Sequence, residues 1–346
     1  MSSHDTTPTG GQTYASAGVD LDAADDVVER IKPHVARTTR PGVLDTIGGF
    51  GGLFELDTER YRKPVIVTAT DGVGTKLAIA RQLGRHDTVG IDLVAMVVDD
   101  IVVSGAEPQV FLDYVAIGKL DPDVVTELVA GIAEGCVRAG CALVGGETAE
   151  HPGVMPATDY DLAGFAVGMV EKDAILGPHR VSDGDVLIGM AASGLHSNGY
   201  SLARRLVEGL DLSEHHGLDR PLGDALLEPT AIYTKPCLAL AEVGLVNALC
   251  HVTGGGLPGN LPRVLPESLG ADVDTSSWTP DPLFELMGRL GQVEREEMFR
   301  VFNMGVGMVA VVPEHAVEAA VGLLSEHDVE AWVMGRVTGP AGVRLS

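Results

Sequence analysis

Residues 65–76 of the chain read Val65-Ile-Val-Thr-Ala-Thr-Asp-Gly-Val-Gly-Thr-Lys76. The β-branched apolar run is typical of a strand, and the run ends in Asp71, followed by Gly72 and Gly74. Glycines let backbone N–H groups approach an anion because no Cβ stands in the way. We therefore predict a strand-to-helix turn suited to phosphate chemistry, with Asp71 placed to hold a metal ion and Lys76 adding a positive charge.

Two known phosphate-binding patterns do not fit this turn. The GxxxxGK[ST] pattern of a Walker A loop is absent, and GxGxxG fails because Leu77 occupies the place of the third glycine. A turn that only connects a strand to a helix is the structural alternative, and the stretch alone does not decide between the two. Further acidic and glycine-rich segments along the chain favour phosphate binding.

Composition and patterning predict a two-domain α/β (α+β) protein. Of its 346 residues, 45% are hydrophobic, which is enough to bury a large core. Apolar strand-like runs alternate with helical patterns, and glycine and proline punctuate the chain near 171–184. The predicted division is a disordered tail over 1–15, an N-terminal domain over 16–175 and a C-terminal domain over 176–346. Local expectations are a strand over 53–56 and surface excursions over 210–228 and 266–282.

The charge balance excludes two classes of partner. The chain has 49 Asp and Glu against 24 Lys and Arg, a net charge of -25. Such a surface repels nucleic acid backbones and anionic membranes, so we expect neither as a partner. Concentrated salt would screen the self-repulsion, which predicts a salt-loving host; an ordinary acidic enzyme is the alternative. No apolar run of about 18 residues and no signal peptide is found, so a cytoplasmic protein is expected.

The four cysteines, Cys136, Cys141, Cys237 and Cys250, form no CxxC pair. They lie in apolar or helical surroundings. This predicts reduced thiols in the core rather than a zinc site or a set of disulfides.

Four further acidic residues are candidate metal ligands. Asp92, Asp99 and Asp100 lie in an almost wholly apolar helical segment, where a carboxylate is costly unless it is paired or bound to a cation. A Mg²⁺ ion shared with nucleotide phosphates would satisfy them, and we favour this interpretation. The alternative is that Asp92 caps the helix and the Asp pair meets backbone N–H groups or an arginine. Glu147 follows a short strand and two glycines, which makes Asp71, Asp100 and Glu147 the predicted set for nucleotide and metal.

The loop Ser193-Gly-Leu-His-Ser-Asn-Gly199 is a candidate substrate-binding segment. It lies between a predicted strand and helix, so its hydroxyl groups, its backbone N–H groups and the helix N-terminus could hold a phosphate. His196 could bind substrate or act as an acid or base. A purely structural histidine is the more frequent case in such a turn.

The loop Thr253-Gly-Gly-Gly-Leu-Pro-Gly-Asn260 contains a literal GxGxxG motif. We reject a dinucleotide-binding fold, because Pro258 lies inside the motif and later prolines break the helix and strand that a Rossmann unit needs. An anion-binding turn fits better.

Taken in order, these segments resemble the phosphoribosylformylglycinamidine cyclo-ligase (aminoimidazole ribonucleotide synthetase) family over most of the chain. The matching stretches are Ala17-Gly-Val-Asp20, Gly48-Gly-Phe-Gly51, Thr70-Asp-Gly-Val-Gly-Thr-Lys76, Arg85-His-Asp-Thr-Val-Gly-Ile-Asp-Leu-Val-Ala-Met96, Gly105-Ala-Glu-Pro108, Gly131-Ile-Ala-Glu-Gly135, Gly145-Gly-Glu-Thr-Ala-Glu150, His196-Ser-Asn-Gly-Tyr-Ser201, Thr253-Gly-Gly-Gly256 and Phe302-Asn-Met-Gly-Val-Gly-Met308.

The resemblance implies two α/β domains, of which the first forms a homodimer through its sheet and the second binds substrate. It implies that ATP and formylglycinamidine ribonucleotide react to give aminoimidazole ribonucleotide, ADP and phosphate, a step of de novo purine synthesis. Mg²⁺ is the implied cation, and a need for K⁺ stays open. No protein nucleophile is required, because the chemistry rests on positioning and on charge neutralisation.

The resemblance also implies roles for individual residues. The catalytic residues would be Asp71, Lys76, Asp100 and His196. Those that bind ATP would be Lys32, Gly48, Gly49, Gly51, Asp71, Gly72, Gly74, Thr75 and Glu147. Those that bind the ribonucleotide would be Ser193, Gly194, His196, Ser197, Asn198, Thr253, Gly254 and Gly255. The metal ligands would be Asp71, Asp100 and Glu147.

The chain departs from the family pattern at Ala15-Ser16, where a charge pair is usual, and at His151, where an apolar residue is common. The first departure removes a charge pair from a segment that the resemblance places beside the nucleotide. Thiamine-phosphate kinase and a hydrogenase-maturation enzyme of the same superfamily are alternatives. A nucleotide-binding regulator without turnover is the alternative from another class.

Overall fold

The computed structural model describes Tyr14 and residues 17–45 and 47–346, which form two β-sheets with their helices. This confirms the predicted α/β (α+β) class. The predicted tail, apart from Tyr14, lies outside the described residues, and so does the divergent pair Ala15-Ser16.

The first sheet has four strands in the order β1-β4-β2-β3, and only β2 and β3 run parallel. This order puts the end of β1, with Asp71, and β3, with Glu147, at opposite edges of the sheet. The strands are β1 (Pro64–Gly72), β2 (Glu107–Ile117), β3 (Ala142–Glu150) and β4 (Tyr160–Glu171), and the helices are α1 (Leu21–Ala36), α2 (Leu77–Leu83), α3 (Val89–Val102) and α4 (Pro122–Ala139).

Helix α3 is the central helix of the molecule. Every residue of α3 except Asp100 is buried. Glycines let α3 and α4 approach closely, since a Cβ on Gly90 would lie 2.4 Å from the carbonyl oxygen of Leu128. Of the three acids of α3, only Asp100 therefore remains open to a ligand in solution.

The face of the first sheet that points away from α3 carries exposed apolar side chains. Ile66 on β1 is 65% exposed and Phe165 on β4 is 45% exposed. On the covered side, a Cβ on Gly164 would lie 3.1 Å from a methyl group of Val97 on α3, so its neighbour Phe165 points to the open side. Two large apolar side chains exposed on the same sheet face make this face a candidate interaction surface.

The second sheet has six strands in the order β10-β7-β9-β5-β8-β6, in which only β7 and β10 pair in parallel. Its apolar helices share one hydrophobic core with α3, which joins the two halves of the chain. The strands are β5 (Val186–Ala191), β6 (Ala248–His251), β7 (Gly270–Val273), β8 (Val306–Val312), β9 (Ala331–Thr338) and β10 (Gly342–Leu345), and the helices are α5 (Tyr200–Leu206), α6 (Leu222–Leu227), α7 (Thr234–Glu242), α8 (Gly256–Asn260), α9 (Pro282–Gly291), α10 (Arg295–Val301) and α11 (Val317–Glu326).

Three local predictions are wrong. Residues 53–56 form no strand, only an isolated bridge between Phe54 and Val43. The segment 210–228 contains the buried helix α6, and 266–282 contains the buried strand β7. These elements have six and four residues, which is too short for their apolar residues to show a period.

The fold bears on three exclusions drawn from the sequence, which concern the GxGxxG loop, the cysteines and membrane-spanning helices. Strands β6 and β7 are not neighbours, so the GxGxxG loop between them belongs to no Rossmann unit, and its rejection is confirmed. All four cysteines are free and buried, as predicted. In the part of the chain that the structure describes, no helix is both long and apolar enough to cross a membrane.

Candidate active site

A cleft of about 370 Å³ lies where the turn after β1 faces the loop before α5. The structure thus brings the predicted phosphate-binding turn together with the predicted substrate loop. The lining residues are Asp71, Gly72, Val73, Gly74, Met96, Asp161, Leu162, Ala163, Ser197 and Asn198.

The two glycines of the turn are needed for different reasons. Gly74 has a φ of +73°, in the left-handed region that favours glycine, although a Cβ there would meet nothing within 4 Å. A Cβ on Gly72 would lie 3.0 Å from the carbonyl oxygen of Leu162, so this glycine serves close packing against β4. The N–H of Gly72 donates to Oδ1 of Asp71 at 2.7 Å, and the hydroxyl groups of Thr75 and Ser201 lie 3.3 Å apart. The turn is therefore held to both β4 and α5.

Asp71 and the nearby Asp100–His251 pair form the acidic end of the site, although neither Asp100 nor His251 lines the cleft itself. Oδ1 of Asp100 lies 2.9 Å from Nδ1 of His251, and the Asp100 side chain is 46% exposed whereas that of His251 is 3% exposed. Burial raises the pKa of Asp71, and the negative charge of Asp100 raises it further, although the N–H of Gly72 opposes both. Burial alone would lower the pKa of His251, but the hydrogen bond to Asp100 and the surrounding carboxylates raise it. The negative charges of the two acids therefore repel each other, and a cation bound between them would relieve this repulsion.

His196 is buried next to this site rather than on the cleft wall. Burial, followed by the charges of His251 and Lys76, lowers the pKa of His196 to about 3, so its ring is neutral. The N–H of Ser193 donates to Nε2 at 3.2 Å, which leaves the proton on Nδ1, and Nδ1 has no partner among the described residues. His196 also has a φ of 61°, in the left-handed region that few residues other than glycine adopt. The ring is placed as a neutral donor, and its predicted acid/base role stays a prediction.

Hydrogen bonds connect the start of the predicted substrate loop to other segments of the C-terminal half of the chain. The hydroxyl of Ser193 donates to the carbonyl oxygen of Pro229 at 2.6 Å, and the carbonyl oxygen of Gly194 accepts from Asn303 at 2.9 Å. Ser197 and Asn198 reach the cleft, where Nδ2 of Asn198 lies 3.7 Å from Sδ of Met96. These contacts leave Ser197 and Asn198 as the part of the loop that a substrate can meet.

The glycine-rich loop after β6 lies beside Asn198. A Cβ on Gly254 would be 3.5 Å from Oδ1 of Asn198. Nδ2 of Asn260 donates to the carbonyl oxygens of Thr253 and Gly254, at 3.2 Å each, and so closes the loop. Gly255 has a φ of +99°, which lets the chain turn at this point. The two loops that the resemblance assigns to the ribonucleotide therefore lie next to each other.

Other predicted site residues are not brought to the cleft. Glu147 is exposed on β3, at the opposite sheet edge from Asp71, and no group of three His, Cys, Asp or Glu within 14, 17–45 and 47–346 is arranged to hold a metal ion. The predicted metal set of Asp71, Asp100 and Glu147 is therefore not assembled in one chain. Lys32 is an exposed residue of α1 that pairs with Glu29. The loop with Gly48, Gly49 and Gly51 lies near β3, because a Cβ on Gly52 would meet Val144 at 2.7 Å.

Asp92 and Asp99 bind protein groups instead of a metal ion. Of the structural alternative, the backbone contact of Asp99 is present, but Asp92 does not cap α3. Oδ1 of Asp92 accepts from Nζ of Lys76 at 2.9 Å and from the N–H of Thr230 at 2.8 Å. Asp99 accepts from the N–H of Tyr233 at 3.1 Å, and burial raises its pKa to about 7. Both carboxylates thus anchor α3 to the segment that precedes and begins α7. Lys76 itself is fully buried and does not line the cleft.

Comparison with known proteins gives a consistent result over both sheet units. Residues 58–170 match the family model "AIR synthase related protein, N-terminal domain", and residues 182–346 match "AIR synthase related protein, C-terminal domain". The Phosphoribosylformylglycinamidine cyclo-ligase of Nitrosococcus oceani is 55% identical over 94% of this chain and 91% of its own length. The chain belongs to this cyclo-ligase family. The family member of Myxococcus xanthus is also 55% identical, over 96% of this chain and 97% of its own, and that of Bacillus pumilus is 49% identical over 96% and 97%.

Solved structures show that the fold extends beyond the cyclo-ligase family. A thiamine-monophosphate kinase from Stenotrophomonas maltophilia has a TM-score of 0.67 at 19% identity, covering 93% of this chain and 96% of its own. The hydrogenase maturation protein HypE of E. coli has a TM-score of 0.65 at 19% identity, covering 93% of each chain. At such identities the likeness concerns the fold alone.

Two titratable residues at the site were not predicted from the sequence. His251 ends the apolar strand β6, and a histidine inside such a strand, directly before a glycine-rich loop, was the available signal. Asp161 lines the cleft from β4, where it pairs with Ala116 of β2. Its position next to Asp71 depends on the pairing of β1 with β4, which no local pattern reveals.

Proposed function

We propose that this chain catalyses the ATP-dependent cyclisation of formylglycinamidine ribonucleotide to aminoimidazole ribonucleotide, with release of ADP and phosphate. The observation that carries the proposal is the near-full-length identity of 55% to curated cyclo-ligases. The cleft supports it, because the glycine turn after Asp71 faces Ser197 and Asn198 across an opening of suitable size for a phosphate-bearing ligand.

The reaction follows from the chemistry of the substrate. The oxygen of the formyl amide is a poor leaving group until it is phosphorylated. Transfer of the γ-phosphoryl group of ATP to this oxygen gives an imidoyl phosphate and ADP. The amidine-derived nitrogen then attacks the activated carbon, the five-membered ring closes, and the C–O bond breaks to release inorganic phosphate. The protein has to align the two reactants and to neutralise the charge that moves between them.

The residues at the acidic end fit a divalent cation. Asp71 and Asp100 supply carboxylate oxygens, the ligands that Mg²⁺ prefers, and Asp100 is half exposed. A bound Mg²⁺ would supply positive charge for the phosphates of ATP. In this proposal Asp71 and Asp100 hold the cation, the N–H groups of the Gly72–Gly74 turn contact phosphate oxygens, and His251 orients the Asp100 carboxylate. Ser197 and Asn198 bind the ribonucleotide.

We also infer that the chain forms a homodimer through the open face of the first sheet. Ile66 and Phe165 lie on that face with large exposed fractions. Burying them in a second copy would be favourable, at about 25 cal/mol per Å² of apolar surface. A variant with Ile66→Asp and Phe165→Asp should be monomeric by light scattering, and a dimeric variant would contradict this interface.

Substrate-dependent ADP release tests the proposed activity. The purified chain is incubated with Mg²⁺ and ATP, with and without formylglycinamidine ribonucleotide, and ADP is quantified. The ribonucleotide should stimulate ADP release, matched by aminoimidazole ribonucleotide. A folded protein that the ribonucleotide does not stimulate would contradict the proposal, and thiamine phosphate would be the next acceptor to test.

A further inference from the structure

Lys76 is the one lysine or arginine, in the part of the chain described here, whose side chain is fully buried. Its ammonium group donates to three oxygens: Oδ1 of Asp92 at 2.9 Å, the carbonyl oxygen of His196 at 3.0 Å and the carbonyl oxygen of Glu228 at 2.6 Å. An ammonium group has three hydrogens, so all of them are used within the protein. None is left for a phosphate in this arrangement.

The contacts of Lys76 join the two walls of the cleft. Lys76 follows Gly74 of the first wall by two residues, while His196 directly precedes Ser197 and Asn198 of the second wall. The partner of Lys76, Asp92, also accepts from the N–H and the hydroxyl of Thr230, at 2.8 and 2.6 Å. The Thr230 hydroxyl in turn lies 3.2 Å from that of Ser197. One buried ion pair therefore fixes the distance between the β1 turn and the substrate loop.

The backbone conformation of His196 explains why the hydrogen bond from Lys76 is needed. With a φ of 61°, His196 lies in the left-handed region, which a residue other than glycine keeps only when its surroundings over-determine it. The hydrogen bond from Lys76 to the His196 carbonyl is part of that constraint. It sets the direction in which the next two residues leave the turn.

We propose that Lys76 is a positioning residue, which acts through the His196 carbonyl and Asp92 to hold Ser197 and Asn198 in register with the Asp71–Gly74 turn. This rests on the proposed function, and it differs from the role expected from the sequence, in which Lys76 meets a phosphate directly. A positioning role concerns the alignment of two reactants. A direct role concerns affinity for nucleotide.

The test compares Lys76→Met/Asp92→Asn with Thr230→Val. The double variant removes both charges together, so no unpaired charge stays buried, but it provides no donor for the His196 carbonyl. Thr230→Val removes one donor to Asp92 and the contact to Ser197 and leaves Lys76 intact. Thr38→Val is the matched control, because its buried hydroxyl also makes two hydrogen bonds, to Val35 and Leu143, away from the cleft.

The double variant should lose kcat by on the order of 10²-fold, as expected for misaligned reactants, while Kd for Mg²⁺–ADP by calorimetry stays within about 2-fold. Thr230→Val should also lower kcat, but by a smaller factor. Thr38→Val should leave kcat unchanged. In both cleft variants, hydrogen exchange should accelerate in the peptide over 193–201.

Two outcomes would overturn the proposal. A large loss of Mg²⁺–ADP affinity in the double variant, with none in Thr230→Val, would show that Lys76 meets phosphate directly. A double variant with wild-type kcat would show that the ion pair is only structural. If the wild type itself gives no substrate-dependent ADP, the proposed function fails, and the exchange and ADP-binding measurements still decide the role of Lys76.

Discussion

The ammonium group of Lys76 and the carboxylate of Asp92 form an ion pair of 2.9 Å in which both side chains are completely buried. Lys76 belongs to the short 3₁₀ helix before α2, and Asp92 belongs to the first turn of α3. Buried ion pairs rarely add net stability, but losing one partner leaves a charge that neither water nor protein satisfies.

Lys76→Met should therefore destabilise the protein by about 3–5 kcal/mol, because the Asp92 charge is left unpaired. Asp92→Asn in the same chain should restore most of that loss. Denaturant unfolding measures both. Lys32→Met, which removes an exposed pair with Glu29, is the control and should cost at most about 1 kcal/mol. Equal losses for Lys32→Met and Lys76→Met would contradict the importance of the buried pair.

Asp100→Asn should lower turnover by on the order of 10²-fold or more, because it removes a ligand of the cation that would stabilise the charge of the transferring phosphoryl group. The fold should be retained, since the Asp100 side chain is half exposed and its hydrogen bond is to His251 alone among the side chains described. Steady-state kinetics across Mg²⁺ concentrations provide the measurement. Near-normal turnover with normal Mg²⁺ dependence would remove Asp100 from the site.

Gly74→Val should impair the use of ATP and leave a folded protein. The Cβ has open space, but the left-handed backbone is costly for a valine, so the turn has to change its course. Gly322→Ala is a matched control, because this glycine has open space in helix α11 and no positive φ. The control should be neutral or stabilising by about 0.5–1 kcal/mol. Unchanged ATP affinity in Gly74→Val would show that the turn is only structural.

The segments that form the fold and the site could be predicted from the sequence where each shows a local pattern. The strand with Asp71, the helix with Asp100 and the loops around His196 and Gly254 are visible because each is a local pattern of apolar period, acid and glycine. The turn with Asp71, helix α3 and the loop after His196 line one cleft, and the Gly254 loop lies beside Asn198. The shared apolar core brings these segments together. Short buried elements such as α6 and β7 were missed, because six or four residues show no period.

The remaining errors come from long-range pairing. Glu147 carries the same local pattern as Asp71, yet the strand order separates them, and no local pattern encodes that order. Asp92 and Lys76 were assigned to ligands because their partners, Thr230 and the carbonyls of His196 and Glu228, are more than a hundred residues away. The salt-loving host stays a prediction, since surface charge alone supports it.

Asp113 should make stability fall as pH rises. Burial raises its pKa from 3.8 to about 7, so the fold favours the protonated carboxyl. That contribution is complete below the unfolded pKa of 3.8 and is lost as pH rises through about 7. Asp113→Asn lacks this dependence. The unfolding free energy of the wild type should therefore drop relative to the variant across that window. If the unfolding free energies of the two proteins changed in parallel with pH, the raised pKa of Asp113 would be contradicted.

The proposed phosphorylation is tested most sharply by following the formyl oxygen of the substrate. Formylglycinamidine ribonucleotide labelled with ¹⁸O in the formyl group is converted with Mg²⁺ and ATP, and the released phosphate is analysed by mass spectrometry. Phosphorylation of that oxygen predicts one ¹⁸O atom in each phosphate formed, in step with ADP and aminoimidazole ribonucleotide. Unlabelled phosphate accompanying ring closure would contradict the proposed mechanism.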